Sequence, residues 1–171
     1  NQLIQKKEYE KAEKLLKNLY DKNEIDYLQL HQLAFLNIIK SNNEEAINLL
    51  KKSIEKNPNY PNSDSDLGTL YLKNNQIYEA KKYFLKSLDV NENLFSSLNN
   101  LGLIYKNQRE YKLSIKYFFS ALNVNPKNYL VVYNLAQLFD EIEDYEKAKD
   151  FYIKTIKLNP SYGNAIVGFY N

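Results

Sequence analysis

The chain has no cysteine, no methionine and no tryptophan, and only one histidine and one arginine. Without cysteine there is no disulfide framework and no thiol chemistry. His31 alone supplies too few nitrogen ligands for a common metal site, so neither metal nor cofactor is expected. The four glycines form no phosphate-cradling loop. No apolar run approaches the ~18 residues that span a bilayer, and no leader peptide is visible. These absences point to a cytoplasmic protein that does not insert into a membrane. The 23 basic and 21 acidic residues leave a net charge of +2, too small a field to favour nucleic acid. The carboxylates of Glu44, Glu45, Asp140, Glu141, Glu143 and Asp144 fall at helix ends and turns. Acidic groups at a helix start complement its dipole, and that role is sufficient for them. No catalytic residue is expected, and the chain reads as a non-enzyme.

What is present is a period. Tyr9-Glu10-Lys11-Ala12 returns as Tyr145-Glu146-Lys147-Ala148, 136 residues later, which is four times 34. Asn57-Pro58, Asn125-Pro126 and Asn159-Pro160 are spaced by 68 and then 34. A fixed period of this length marks a stack of helix–turn–helix units. With proline at position 32, the full units are 27–60, 61–94, 95–128 and 129–162, flanked by partial units 1–26 and 163–171. Position 8 reads Ala34, Gly68, Gly102, Ala136; position 20 reads Ala46, Ala80, Ser114, Ala148; position 24 reads Leu50, Phe84, Phe118, Tyr152. Small residues at 8 and 20 let two helices approach, and large ones at 24 fill the space between them. Proline at 32 stops the second helix, since it lacks an N–H and disfavours helix in the residue before it. About nine helices are predicted, with turns near 23–26, 57–62, 91–96, 125–130 and 159–163. Each unit buries its apolar face only against its neighbours.

This pattern resembles the tetratricopeptide repeat (TPR) family over nearly the whole chain. The resemblance implies an all-α, right-handed solenoid of antiparallel helix pairs that binds partner proteins. Three departures stand out. Glu92 replaces proline, so the 61–94 unit should end less sharply, although Asn91-Glu92-Asn93 still breaks a helix. Asp64 at position 4 and Asn37 at position 11 are polar where the family is apolar, and packing around them is expected to be the weakest in the array.

In this family the first helices line a concave groove. Position 6, which faces it, reads Gln32, Asp66, Asn100, Asn134. Carboxamides both donate and accept, so a row of them suits the backbone of an extended peptide. Such a ladder, with Asn100-Leu101-Gly102, is similar to the superhelical repeats of O-linked N-acetylglucosamine transferase. His31, Phe35, Leu103 and Gln137 complete the candidate peptide-binding set. The carboxylate clamp of the chaperone-binding repeats has no counterpart, because the groove positions carry only Lys73 and Lys106 and neither stands where a clamp lysine would. From Phe35, Ile38 and Ile39 to Asp140 and Glu141, the groove passes from apolar to acidic.

Two functions are open: an interaction scaffold binding an extended or helical partner segment, or the substrate-recruiting arm of a larger, glycosyltransferase-like enzyme. With no methionine at residue 1, the chain is expected to be a segment of a longer repeat protein. Leu3 and Ile4 are read as the last turn of a first helix, followed by a second helix at about 7–22. Leu3, Ile4, Ile166, Phe169 and Tyr170 belong to incomplete units and should be partly exposed or covered by a neighbouring molecule. Self-association through these repeat ends is therefore a further expectation.

Overall fold

The computed structural model describes the backbone of residues 2–170 and the side chains of residues 8–170. Ten helices and no strand occur among the described residues. The chain divides into two compact units, residues 1–90 and 91–171. The first holds α1 (Gln2–Asp21), α2 (Tyr27–Ile39), α3 (Asn43–Lys56), α4 (Pro61–Lys73) and α5 (Ile77–Val90). The second holds α6 (Phe95–Asn107), α7 (Tyr111–Val124), α8 (Tyr129–Glu141), α9 (Tyr145–Leu158) and α10 (Gly163–Tyr170).

Local chemistry sets the helix ends. Asp26 caps α2 through Gln29 N at 2.8 Å, and the Gln29 side chain returns the bond to Asp26 N at 2.9 Å. Pro61 occupies the first turn of α4, where a missing N–H costs nothing. Asn128 and Asp144 cap α8 and α9. The less sharp end expected at Glu92 does not occur: α5 stops at Val90, in register with α3, α7 and α9. Asparagine is the reason. The Asn91 side chain accepts from Asn93 N at 3.1 Å, as Asn57 does from Asn59 N at 3.1 Å and Asn159 from Ser161 N at 3.3 Å. This side-chain turn ends the helix whether or not proline follows.

Inside the repeats, α2, α4, α6 and α8 end the same way. Ser41, Asn75, Arg109 and Glu143 adopt φ of 63°, 58°, 59° and 63°. The next residue's N–H reaches back five residues, as in Asn42 N to Asn37 O and Glu110 N to Tyr105 O, both 2.9 Å. These are Schellman turns, whose left-handed residue is usually glycine. That conformation costs an L residue roughly 1–2 kcal/mol, while the extra freedom of unfolded glycine costs about 0.5–1 kcal/mol. The exposed Arg109 is the clearest case. Arg109→Gly is expected to raise stability by ~0.5–1 kcal/mol, read as a higher urea midpoint at unchanged slope. Asn75→Gly should gain less, since asparagine tolerates this conformation.

One expectation needs correcting. Leu3 and Ile4 do not belong to a separate first helix, because residues 2–21 form one continuous helix. Lys7 stands where the other units turn left-handed. It lies within the helix-forming run Gln5-Lys6-Lys7-Glu8, and nothing there competes for the backbone. The predicted exposure of Leu3 and Ile4 lies outside the described side chains.

The helix pairs pack through the small positions. A Cβ on Gly68 would meet the Phe84 ring at 2.8 Å, and one on Gly102 would meet the Phe118 ring at 2.6 Å. Both rings are fully buried. Ala46, Ala80 and Ala148 are buried at the same contacts, and Ser114 donates to Gly102 O at 2.8 Å. In α8 the small residue is Ala136, and the ring at position 24, Tyr152, also lies against Gly168 of α10, whose Cβ would meet it at 2.5 Å.

Candidate partner-binding surface

Position 6 of a first helix is flanked in sequence by core residues, Leu33 and Leu67 in the first compact unit and Leu101 and Leu135 in the second. Its side chain therefore points off the packed face. In the first unit this places Gln32 and Asp66 on α2 and α4. Gln32 is exposed and makes no side-chain hydrogen bond among the described residues. Asp66 is engaged: its Oδ2 lies 2.9 Å from His31 Nε2. His31 also sets its ring edge-on to Tyr60 at 5.2 Å. His31 and Asp66 thus form one polar unit, not two independent contacts. Beside them, Tyr9, Ala12 and Leu16 of α1 and Gln32, Phe35 and Leu36 of α2 line an apolar notch of about 410 Å³. Phe35 is 48% exposed and Ile39 49%.

In the second unit, Asn100 and Asn134 lie on α6 and α8, half-buried, and neither makes a side-chain hydrogen bond among the described residues. Leu103 is half-buried beside them. Gln137 is occupied, accepting from Lys106 Nζ at 3.2 Å and donating to the Tyr133 hydroxyl at 3.0 Å. Lys106 also pairs with Glu141 at 3.1 Å. Tyr133 packs edge-on to Tyr162 at 5.0 Å, and burial, then Tyr162, pushes its phenol upward. Tyr152 is pushed up to about 12 by burial and by the Asp140 carboxylate. Both phenols therefore stay neutral donors through the physiological range. Asp140 and Glu141 are exposed and give this end an acidic edge.

Sequence reasoning did not find the Lys106 network or the notch. The signal for the first was Lys106 standing one repeat before Gln137 and Glu141. The signal for the second was Ala12 and Leu16, small and large at positions 20 and 24 of a second-helix pattern. Among the described residues no three metal-ligating side chains gather, and no helix is long and apolar enough to cross a membrane.

Tetratricopeptide repeat profiles match residues 95–128, and residues 66–94 and 131–162. No curated protein matches the sequence. Among solved structures, the chain is similar to YrrB, described as a TPR protein with an unusual peptide-binding site. The TM-score is 0.79 at 19% identity, covering 100% of this chain and 88% of that one. It is also similar to MamA, with a TM-score of 0.81 at 14% identity over 94% of both chains. For pilF of Pseudomonas aeruginosa the TM-score is 0.75 at 20% identity, over 84% of this chain and 65% of that one. At these identities the likeness is one of fold, an all-α solenoid of antiparallel helix pairs.

Proposed function

Because the chain belongs to the tetratricopeptide repeat family, whose fold serves as a protein-interaction scaffold, we propose that it holds an extended segment of a partner protein in the groove, with Asn100 and Asn134 gripping that segment's backbone. The observation that carries this reading is that Asn100 and Asn134, at the same repeat position on two successive first helices, are half-buried and keep their amides free of other side chains among the described residues. Among the described residues only Asp64 Oδ2 is a buried side-chain atom without a partner, so both amides remain within reach of water and of a ligand. A peptide backbone supplies the donor and the acceptor that each amide lacks. In the first compact unit Gln32 offers the same chemistry, while the His31–Asp66 pair presents a polar surface whose tautomer sets what it donates. Within the second unit, Leu103, three residues after Asn100, supplies apolar contact for a side chain of the segment.

The test begins with pull-down and mass spectrometry to obtain a partner, then measures its affinity for variants. Asn100→Ala with Asn134→Ala should leave the urea melt nearly unchanged. Each lost hydrogen bond is worth about 0.5–1.5 kcal/mol, so together they should weaken binding roughly 5- to 150-fold. Lys81→Ala, on the second helix α5, should have little effect. Full binding in the double asparagine variant would overturn the reading, and loss of binding in Lys81→Ala alone would place the partner on α5.

A further inference from the structure

We propose that the partner segment carries a basic side chain, lysine or arginine, which Asp66 receives in the first compact unit. The inference rests on the reading that the groove holds a partner's backbone, and adds which side chain that partner brings. Asp66 stands at position 6 of α4, the position that Gln32 occupies on α2. Both helices belong to full units, α2 packed on α3 and α4 on α5. The Asp66 side chain is 37% exposed.

The carboxylate is oriented before any partner arrives. Its Oδ2 lies 2.9 Å from His31 Nε2. An ionised carboxylate only accepts, so the ring nitrogen that faces it carries the hydrogen. The imidazole is held in turn by Tyr60, whose ring centre lies 5.2 Å away with the planes at 86°. In its neutral form the imidazole orients the carboxylate without cancelling its charge. Asp66 Oδ1 has no hydrogen-bond partner among the described residues, and it is not a buried atom. One oriented acceptor is therefore left open to a ligand.

No lysine or arginine pairs with Asp66 among the described residues; its one ion-pair partner there is His31. Lys73, also on a groove position of α4, stands seven residues further on, roughly 10 Å along the helix. Elsewhere the chain meets such charges itself. Glu141 pairs with Lys106 at 3.1 Å, and the core residue Asp64 with Lys86 at 3.0 Å. A fixed, half-buried carboxylate without a cation is complementary to one, and charge complementarity selects among partners more than it adds affinity. Tyr27 and Tyr60, half-buried with ring centres 5.2 Å apart, flank His31. They offer apolar surface to the methylene stem of a basic side chain. Gln32, exposed, is left for the segment's backbone.

The test is selection of random peptides displayed on phage by the 171-residue chain, with circular dichroism as the check on folding. The selected peptides should have a lysine or arginine at one common position. A synthetic copy should bind Asp66→Asn roughly 5-fold more weakly than the parent chain, the scale of one partly exposed charge pair. Replacing the basic residue of the peptide with glutamine should weaken binding to the parent about as much, and binding to Asp66→Asn no further. Selected peptides with no common basic residue overturn the proposal, as does a basic preference that survives Asp66→Asn. If the asparagines are still required in either case, the groove reading stands and this inference alone falls. Peptides that bind the Asn100→Ala, Asn134→Ala variant at full strength overturn the groove reading instead. A chain that selects no peptide overturns both.

Discussion

Replacing Asp64 with leucine is expected to stabilise the protein by about 1–4 kcal/mol at neutral pH. Asp64 is 0% exposed. Its Oδ1 accepts a hydrogen bond from Lys86 Nζ at 3.0 Å, and its Oδ2 has no partner. The other full units place Leu30, Leu98 and Val132 at the same position, all buried, so the site accepts a branched apolar side chain. Removing the carboxylate strands no charge, because the Lys86 side chain is already 40% exposed and can turn to water. Burial, opposed by the Lys86 ammonium, holds the Asp64 carboxyl above its ordinary 3.8. The folded state therefore keeps this proton to higher pH than the unfolded chain. Stability falls as pH rises from the unfolded value through the folded one. The advantage of Asp64→Leu should be least in acid and complete once the wild-type group has ionised. Urea melts across that range check this, and a lower midpoint for Asp64→Leu at neutral pH would contradict it.

Gly102→Ala should cost roughly 1–3 kcal/mol, because the added methyl overpacks a fully buried ring. Phe118→Leu should also destabilise, though by less than the about 3–5 kcal/mol of truncating such a ring to alanine. Together the two changes reproduce a pair this protein already uses, Ala34 with Leu50. The double variant should therefore be more stable than the two single losses imply, by about 0.5–3 kcal/mol of coupling. Equilibrium unfolding of all four proteins measures that coupling. Strictly additive losses would mean that the ring moves aside for the methyl without strain.

The repeat period made the helices and their packing faces readable, because a face recurs every 34 residues and the size rules at positions 8, 20 and 24 are steric. Polar partnerships were not readable in the same way. Asn37 and Asp64 looked alike as polar residues on apolar positions, yet their outcomes differ. The Asn37 amide donates to Leu33 O at 2.9 Å, within its own helix. Asp64 has no backbone donor to reach and depends on Lys86, 22 residues away. His31 and Asp66 were both placed on the groove face, but their bond spans one period plus one residue, and face assignment does not specify which side chains touch. The continuity of α1 was hidden for a related reason. Whether position 15 turns left-handed or stays helical depends on the residues around it, and at Lys7 they favour the helix.

Two stacked tyrosine pairs offer a consequence of another kind. Tyr71 lies on Tyr83 with ring centres 5.4 Å apart and planes 16° from parallel, and Tyr105 lies on Tyr117 at 5.4 Å and 6°. Each pair joins a first helix to its second helix, one in each compact unit. Such pairs couple their electronic transitions, and with no tryptophan in the chain no indole band overlies the tyrosine region of the near-ultraviolet spectrum. Removing one hydroxyphenyl ring, at Tyr83 or at Tyr117, would leave the coupled signal of the other pair. The difference between each variant's spectrum and the parent's would then isolate one stacked pair and follow the opening of its half of the molecule, without an extrinsic label.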